Sequence, residues 1–222
     1  MPAKLILGLQ WGDEGKGKVV DIFSGEADLV VRFQGGANSG HTVQVGEEKF
    51  FLHCIPSGIL HPGVSCLLGR GMVLDPFELK EEMDSLRSRG VSLEGRLFIS
   101  LRAHLVLPHH KLLDRARERA AGEARIGTTG KGIGPCYAEK VARTGIQLAD
   151  LFDDARLAAR LRLSVETAGA ILERVFGIEA PPYEEVLRSL LSVRDYFRPY
   201  AADVPAILEE AHSRGARILF EG

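Results

Sequence analysis

A short apolar run that breaks into glycines and lysines, and then resumes at helical spacing, leaves a chain few ways to fold. Residues 4–23 have that form. Leu5 to Leu9 reads as a buried strand, and Val19, Val20, Ile22 and Phe23 recur at helical intervals. Between them stand Gly12, Gly15 and Gly17, interleaved with Lys16 and Lys18. Glycines let the backbone turn through positive φ and bring its N–H groups close to an anion, and the following helix end adds positive partial charge. A phosphate is the natural occupant. The spacing Gly12-x4-Gly17-Lys18 is that of a phosphate-cradling loop, yet Val19 stands where a Ser or Thr usually holds Mg²⁺. The loop instead carries Asp13 and Glu14, which repel phosphate unless one of them holds a metal or moves a proton. The bland alternative is a glycine-rich turn that only joins strand to helix.

With 222 residues the chain can bury a substantial core, as one large α/β domain or one domain with an appendage. A net charge of −2 gives no reason to expect nucleic acid or a membrane surface as partner, so any anion must be met locally. No apolar run approaches membrane-spanning length, and the N-terminus enters a strand at once, which suggests the cytosol. Cys54, Cys66 and Cys136 are odd in number and lack paired metal spacing; they read as buried free thiols.

Further along, Asp28 to Phe33 reads as a second strand that runs into a second glycine-rich turn, Gln34 to Thr42. Ligands in open α/β sheets bind at the carboxyl edge of the strands, so two such turns can face one crevice. His41, beside those glycines, can donate to phosphate oxygens or move a proton, or simply cap backbone groups. Phe50–Ile55 and Cys66–Leu68 read as strands. Asp75-Pro76-Phe77-Glu78 has the order of a helix start, an acidic cap followed by proline; the helix runs to about Ser88 with Leu79, Met83 and Leu86 inward, and Gly90 ends it. Arg96–Ser100 and His104–Leu107 follow as strands, and Pro108 opens another helix. His109 and His110 in its first turn are adjacent, so they are expected to point apart and to be solvated rather than to share a metal.

Ile126 to Pro135 is a third glycine-rich segment, suited to a mobile loop that closes on an anion or to a plain surface hairpin. Arg143 beyond it is either a bidentate phosphate clamp or surface charge. From Asp150 to Arg214 the pattern turns helical, with Val165, Ala168, Leu172 and Val175 among the inward positions. Residues 216–222 return as a core strand. The division expected is a glycine-loop-rich core over 1–149, a helical insertion over 150–214 and a returning strand over 215–222.

Taken together, Gln10 to Lys18, Gln34 to Thr42, Gly127 to Pro135 and Lys140-Val141-Ala142-Arg143 closely resemble adenylosuccinate synthetase, in order and over essentially the whole chain. The resemblance implies an α/β fold with a mostly parallel central sheet and flanking helices, similar to P-loop NTPases, plus a helical insertion. It implies a GTP-dependent C–N ligase that joins IMP and L-aspartate through a 6-phosphoryl intermediate, acting as a cytoplasmic homodimer with Mg²⁺. Carried over by motif, Asp13 would take the purine N1 proton and ligate Mg²⁺ with the Gly40 carbonyl, His41 would be the proton donor, and Lys16 would assist. Gly12, Asp13, Glu14, Gly15, Lys16, Gly17 and Lys18 with Gly40, His41 and Thr42 would bind GTP. Asp13, Glu14, Gly15, Lys16, Asn38, Ser39, Gly40, His41 and Thr129 would line the IMP pocket, which Arg143 would reach from the neighbouring subunit. Ser39 and Cys136 depart from the usual alanines, and Arg70 from the usual asparagine. Members of the family continue well beyond 222 residues, so an inactive nucleotide-binding or dimerisation piece is the alternative; a regulatory GTP switch is disfavoured by Val19.

Overall fold

The computed structural model describes residues 3–9, 15–38 and 40–222. The elements run β1 (Lys4–Ile6), α1 (Lys16–Ser24), β2 (Leu29–Arg32), β3 (His41–Val45), β4 (Glu48–Leu52), β5 (Ser65–Leu68), β6 (Val73–Leu74), α2 (Pro76–Ser88), β7 (Leu97–Ser100) and β8 (His104–Leu105). They continue with α3 (Pro108–Ala121), α4 (Ile133–Ala142), α5 (Asp154–Phe176), α6 (Tyr183–Phe197), β9 (Ala201–Ala202), α7 (Val204–Ser213) and β10 (Ile218–Glu221).

Six strands form one parallel sheet in the order β1-β10-β2-β5-β7-β9. Strand residues alternate faces, and the alternation sorts the core. Val30, Cys66, Leu68, Leu97, Ile99 and Leu219 pack with α1, α2, α5 and α6, whereas Leu29, Val31, Leu67 and Ile218 pack under Val204 and Ala211 of α7. The expected mostly parallel sheet with flanking helices is therefore what the chain builds. Within 150–214, β9 joins the sheet beside β7 and α7 covers one sheet face, so this stretch is not helical throughout.

Local chemistry explains where elements start and stop. Asp75 Oδ1 accepts from the N–H groups of Phe77 at 2.9 Å and Glu78 at 3.1 Å, and Leu79, Met83 and Leu86 are buried as the pattern requires. The first strand corrects the sequence reading. It is three residues long and lies at the sheet edge, leaving Leu5 55%, Leu7 50% and Leu9 93% exposed rather than buried. Val175 is also exposed, at the outer face near the end of α5. His41 and Thr42, read as the end of the second glycine-rich turn, instead open strand β3, which pairs antiparallel with β4 across Gly46 at φ +61°. In turn β4 stops at Leu52, short of the expected Ile55, because the next three N–H groups leave the ladder for a carboxylate on α2.

Candidate active site

The first glycine-rich turn delivers a bare helix start. Gly15 takes φ +81°, and α1 begins at Lys16 with no side chain capping it among the described residues. Its first N–H groups thus meet no side-chain acceptor among the described residues, and helix starts of this kind suit an anion. Lys16 Nζ donates to the Gly222 carbonyl at 2.5 Å, tying this turn to the end of β10. The face of Gly17 lies against His41: a Cβ there would sit 2.8 Å from His41 Cβ and 3.0 Å from its Cγ. That contact brings the first two glycine-rich segments to one point.

His41 sits half-buried at the start of β3, with Nε2 buried and without a hydrogen-bond partner among the described residues. Burial lowers its pKa, Glu221 opposes that, and Arg32 and Lys16 push it lower still; the ring is held neutral near neutral pH. Glu221 and Arg32 are register partners on β10 and β2 in the last row of the sheet, both buried. Arg32 donates to the His53 carbonyl and to the Gly36 carbonyl at 3.1 Å. Glu221 Oε2 is buried with no partner among the described residues. Gly40 lies against the His53 ring, where a Cβ would come within 2.6 Å of Nδ1. Lys18, Asn38, Gly40 and Thr42 are exposed around this centre. Gly12, Asp13, Glu14 and Ser39 lie outside the described residues.

The third glycine-rich segment is joined to the second through α4. Tyr137 Oη accepts from the Gly35 N–H at 2.8 Å and donates to the Gly71 carbonyl at 2.9 Å, and Gly36 lies against Ile133. Helix α4 starts at Ile133, so Gly134 and Pro135 belong to it rather than to a loop. Before it, Glu118 accepts from the N–H groups of Ile126, Gly127 and Thr128, and Asp114 accepts from Thr128 Oγ1 and the Gly132 N–H. Thr129 lines an open cavity of about 560 Å³ with Arg115, Arg119 and Arg125. Arg143 is exposed at the C-terminus of α4 at φ +66°, left-handed backbone that is uncommon for a side chain of its size. No contact between Thr129 or Arg143 and the Lys16–His41 centre is found among the described residues.

His109 and His110 overturn the expectation of solvation: both are fully buried, with ring centroids 4.4 Å apart, and both reach Glu139. They can do so because the first turn of α3 is enclosed by α4 and α5. His110 Nδ1 accepts the Leu107 N–H at 3.0 Å, so its neutral ring carries the proton on Nε2, which faces Glu139 Oε2 at 3.2 Å. His109 Nε2 lies 2.9 Å from Ser164 Oγ, and that hydroxyl donates to Glu139 at 2.9 Å. Although these donors are grouped closely enough to suggest a cation, the only nitrogen His110 aims inward is protonated. The cluster is a hydrogen-bonded joint between three helices, not a metal centre.

The model of the family described as adenylosuccinate synthetase matches residues 5–222. The chain belongs to the adenylosuccinate synthetase family. The curated adenylosuccinate synthetase of Carboxydothermus hydrogenoformans is 49% identical over 222 residues, 100% of this chain and 52% of the relative. That of Salinibacter ruber is 46% identical over 230 residues, with coverage of 100% and 52%. The structure of fully ligated adenylosuccinate synthetase from Plasmodium falciparum superposes with a TM-score of 0.86 at 33% identity, covering 99% of this chain and 50% of that one. The chain thus spans about half the length of the curated relatives it matches.

Within this family member, the residues that sequence reasoning passed over are Arg32, Glu221, Tyr137 and the buried Glu82. Arg32 and Glu221 carried a readable signal, since each is a charge closing an apolar strand run. Tyr137 and Glu82 carried none, because each acts on backbone brought from elsewhere in the chain.

Proposed function

We propose that this chain supplies the phosphoryl-transfer half of an adenylosuccinate synthetase site: GTP, IMP and L-aspartate go to adenylosuccinate, GDP and phosphate. The observation that carries this is the contact of Gly17 with His41, whose buried Nε2 has no partner among the described residues, beside Lys16 and a helix start that no described side chain caps. In this reading Asp13 takes the proton from purine N1, the 6-oxygen attacks the γ-phosphorus, and the bond to the GDP oxygen breaks. The aspartate amine then displaces phosphate from C6. His41, kept neutral by burial, donates a hydrogen bond near the transferring group. Lys16 and the N–H groups of α1 neutralise phosphate charge, and such positioning and charge neutralisation are most of what phosphoryl transfer needs.

The donor types suit a hard divalent cation, a carboxylate and a backbone carbonyl, and Glu221 Oε2, buried without a partner among the described residues, adds negative charge near His41. Asp13 and Gly40 would hold Mg²⁺, which when bound neutralises charge on the phosphates. Glu14, Gly15, Asn38, Ser39 and Thr129 would line the IMP pocket, and Arg143 would reach the site of a second copy in a cytoplasmic homodimer. Among the described residues no helix is long and apolar enough to cross a membrane. The glycine-loop core over 1–149, the largely helical 150–214 and the returning strand over 215–222 are the parts in which this reading divides the chain.

Phosphate release from GTP by the full-length protein tests the main reading. Release that requires both IMP and aspartate supports it, and release indifferent to both overturns it. The 222-residue polypeptide alone is expected to form no adenylosuccinate, and detectable product would refute that.

A further inference from the structure

One buried charge near this centre has no part in the chemistry above. Glu82 lies on α2 and is 8% exposed. Its carboxylate gathers three consecutive backbone N–H groups: His53 at 2.9 Å on Oε1, Cys54 at 2.9 Å on Oε2, and Ile55 at 3.1 Å on Oε1. These are the residues at which β4 leaves its partner. The last ladder pair before them is His41 with Leu52.

We propose that Glu82 is a positioning residue for His41, a proposal that rests on the reading of the site given above. Residue 53 is held from two sides, by the Glu82 carboxyl group and the Arg32 guanidinium. Glu82 takes its N–H, and Arg32 takes its carbonyl while also holding Gly36. The ring of His53 lies against Gly40, the neighbour of His41. Fixing residue 53 therefore fixes the open end of the hairpin, and with it the approach of His41 to Gly17 on α1. Without the carboxylate, three N–H groups in a buried segment lose their acceptor and the strand end must shift to find others. A carboxylate suits this task better than an amide. Glutamine offers one acceptor oxygen, and its NH₂ would face the Cys54 N–H, donor against donor. Displacing a reacting group by about 1 Å can cost on the order of a hundredfold in rate, so a change with no contact to substrate reaches kcat.

The test compares Glu82→Ala and Glu82→Gln with Leu86→Ala in the full-length protein. Leu86 is buried one turn along the same helix, and its apolar side chain can accept no backbone N–H. Steady-state kinetics are read beside the His41 imidazole signal in carbon-edited NMR without substrates, assigned with a His41→Asn variant. The expected result is a drop in kcat of about tenfold or more for Glu82→Ala, with KM for GTP within about threefold and a displaced His41 signal. Glu82→Gln falls between it and the parent, and Leu86→Ala lowers thermal stability while moving neither readout. An unmoved His41 signal with unchanged kcat in Glu82→Ala overturns the proposal, as does a Leu86→Ala variant that reproduces both effects. If the alanine variant does not fold, Glu82→Gln decides by the same two readouts. If the parent protein shows no turnover with IMP and aspartate, the functional reading fails, and the His41 signal still decides the role of Glu82.

Discussion

Gly17→Ala sets two effects of known size against each other. Gly17 is the second residue of α1 and is not at positive φ, so alanine there should favour the helix by up to about 1 kcal/mol. The added Cβ would lie 2.8 Å from His41 Cβ, closer than such atoms approach, and relieving that overlap costs about 1–3 kcal/mol. The collision outweighs the helix gain, and Gly17→Ala is expected to destabilise the protein by about 1–2 kcal/mol. Truncating His41 to alanine would not remove the overlap, because the offending atom is its own Cβ. In a His41→Gly background the obstacle is gone, only the helix term remains, and the same substitution should become stabilising. Denaturant midpoints of the four proteins in this cycle measure the change of sign. A Gly17→Ala effect of the same sign and size in both backgrounds would refute the contact on which the candidate site is built.

Three further outcomes follow from the same geometry. His109 is buried and its pKa is pushed down to about 3, by burial first and by His110 second. The unfolded chain takes up a proton below pH 6.5 that the folded one refuses, so stability is complete above that pH and is lost as pH falls toward 3. Between pH 7 and 5 the loss from this group is about 2 kcal/mol, and His109→Phe should flatten the denaturation profile by that amount. Burial raises the Cys54 thiol to about 12 and pushes the Cys66 and Cys136 thiols up as well, so a thiol reagent at pH 8 should label none of them before unfolding; prompt labelling of the folded protein would contradict their placement. Asp13→Asn in the full-length protein should leave GTP binding nearly intact by calorimetry and abolish turnover, and a variant with near-parental activity would remove Asp13 from its assigned role.

What the sequence made legible was local. The Asp75-Pro76 cap, the inward positions of α2 and the turn at Gly90, with φ +79°, are written in residues a few places apart, and the structure has each of them. Strand β3 was hidden because only Val43 of its five residues is buried, so no apolar alternation marks it. The interior place of β10 was equally hidden. It lies between β1 and β2 because the chain returns there after nearly two hundred residues, and no spacing rule encodes a return of that length. The histidine pair misled for a related reason. Adjacent residues on an isolated helix do point apart, but α4 and α5 close over the first turn of α3 and offer one carboxylate to both rings. The glycine-rich segments were recognisable one by one, whereas the convergence of Gly17 on His41 required the fold.

That convergence also explains why the carboxyl edge of the sheet tolerates charge. The last register row places Glu221 beside Arg32, with Ile6 and Leu68 on either side, and burying isolated charges in such a row would be strongly unfavourable. Arg32 is compensated by two backbone carbonyls, and nearby polar groups are likewise engaged: Glu82 by three amides, Tyr137 by two backbone groups, Lys16 by the Gly222 carbonyl. Among the described residues around this edge, the side-chain atoms buried without a partner are His41 Nε2 and Glu221 Oε2, each a deficit of about 1–3 kcal/mol. Relaxation of a rotamer or a loop would ordinarily remove such a deficit. Here the hairpin register holds the backbone of His41 beside Gly17, and the ladder on both sides of β10 holds the strand that carries Glu221. On the reading proposed above, a ligand that reaches these two atoms would gain contacts that the described residues leave unmade.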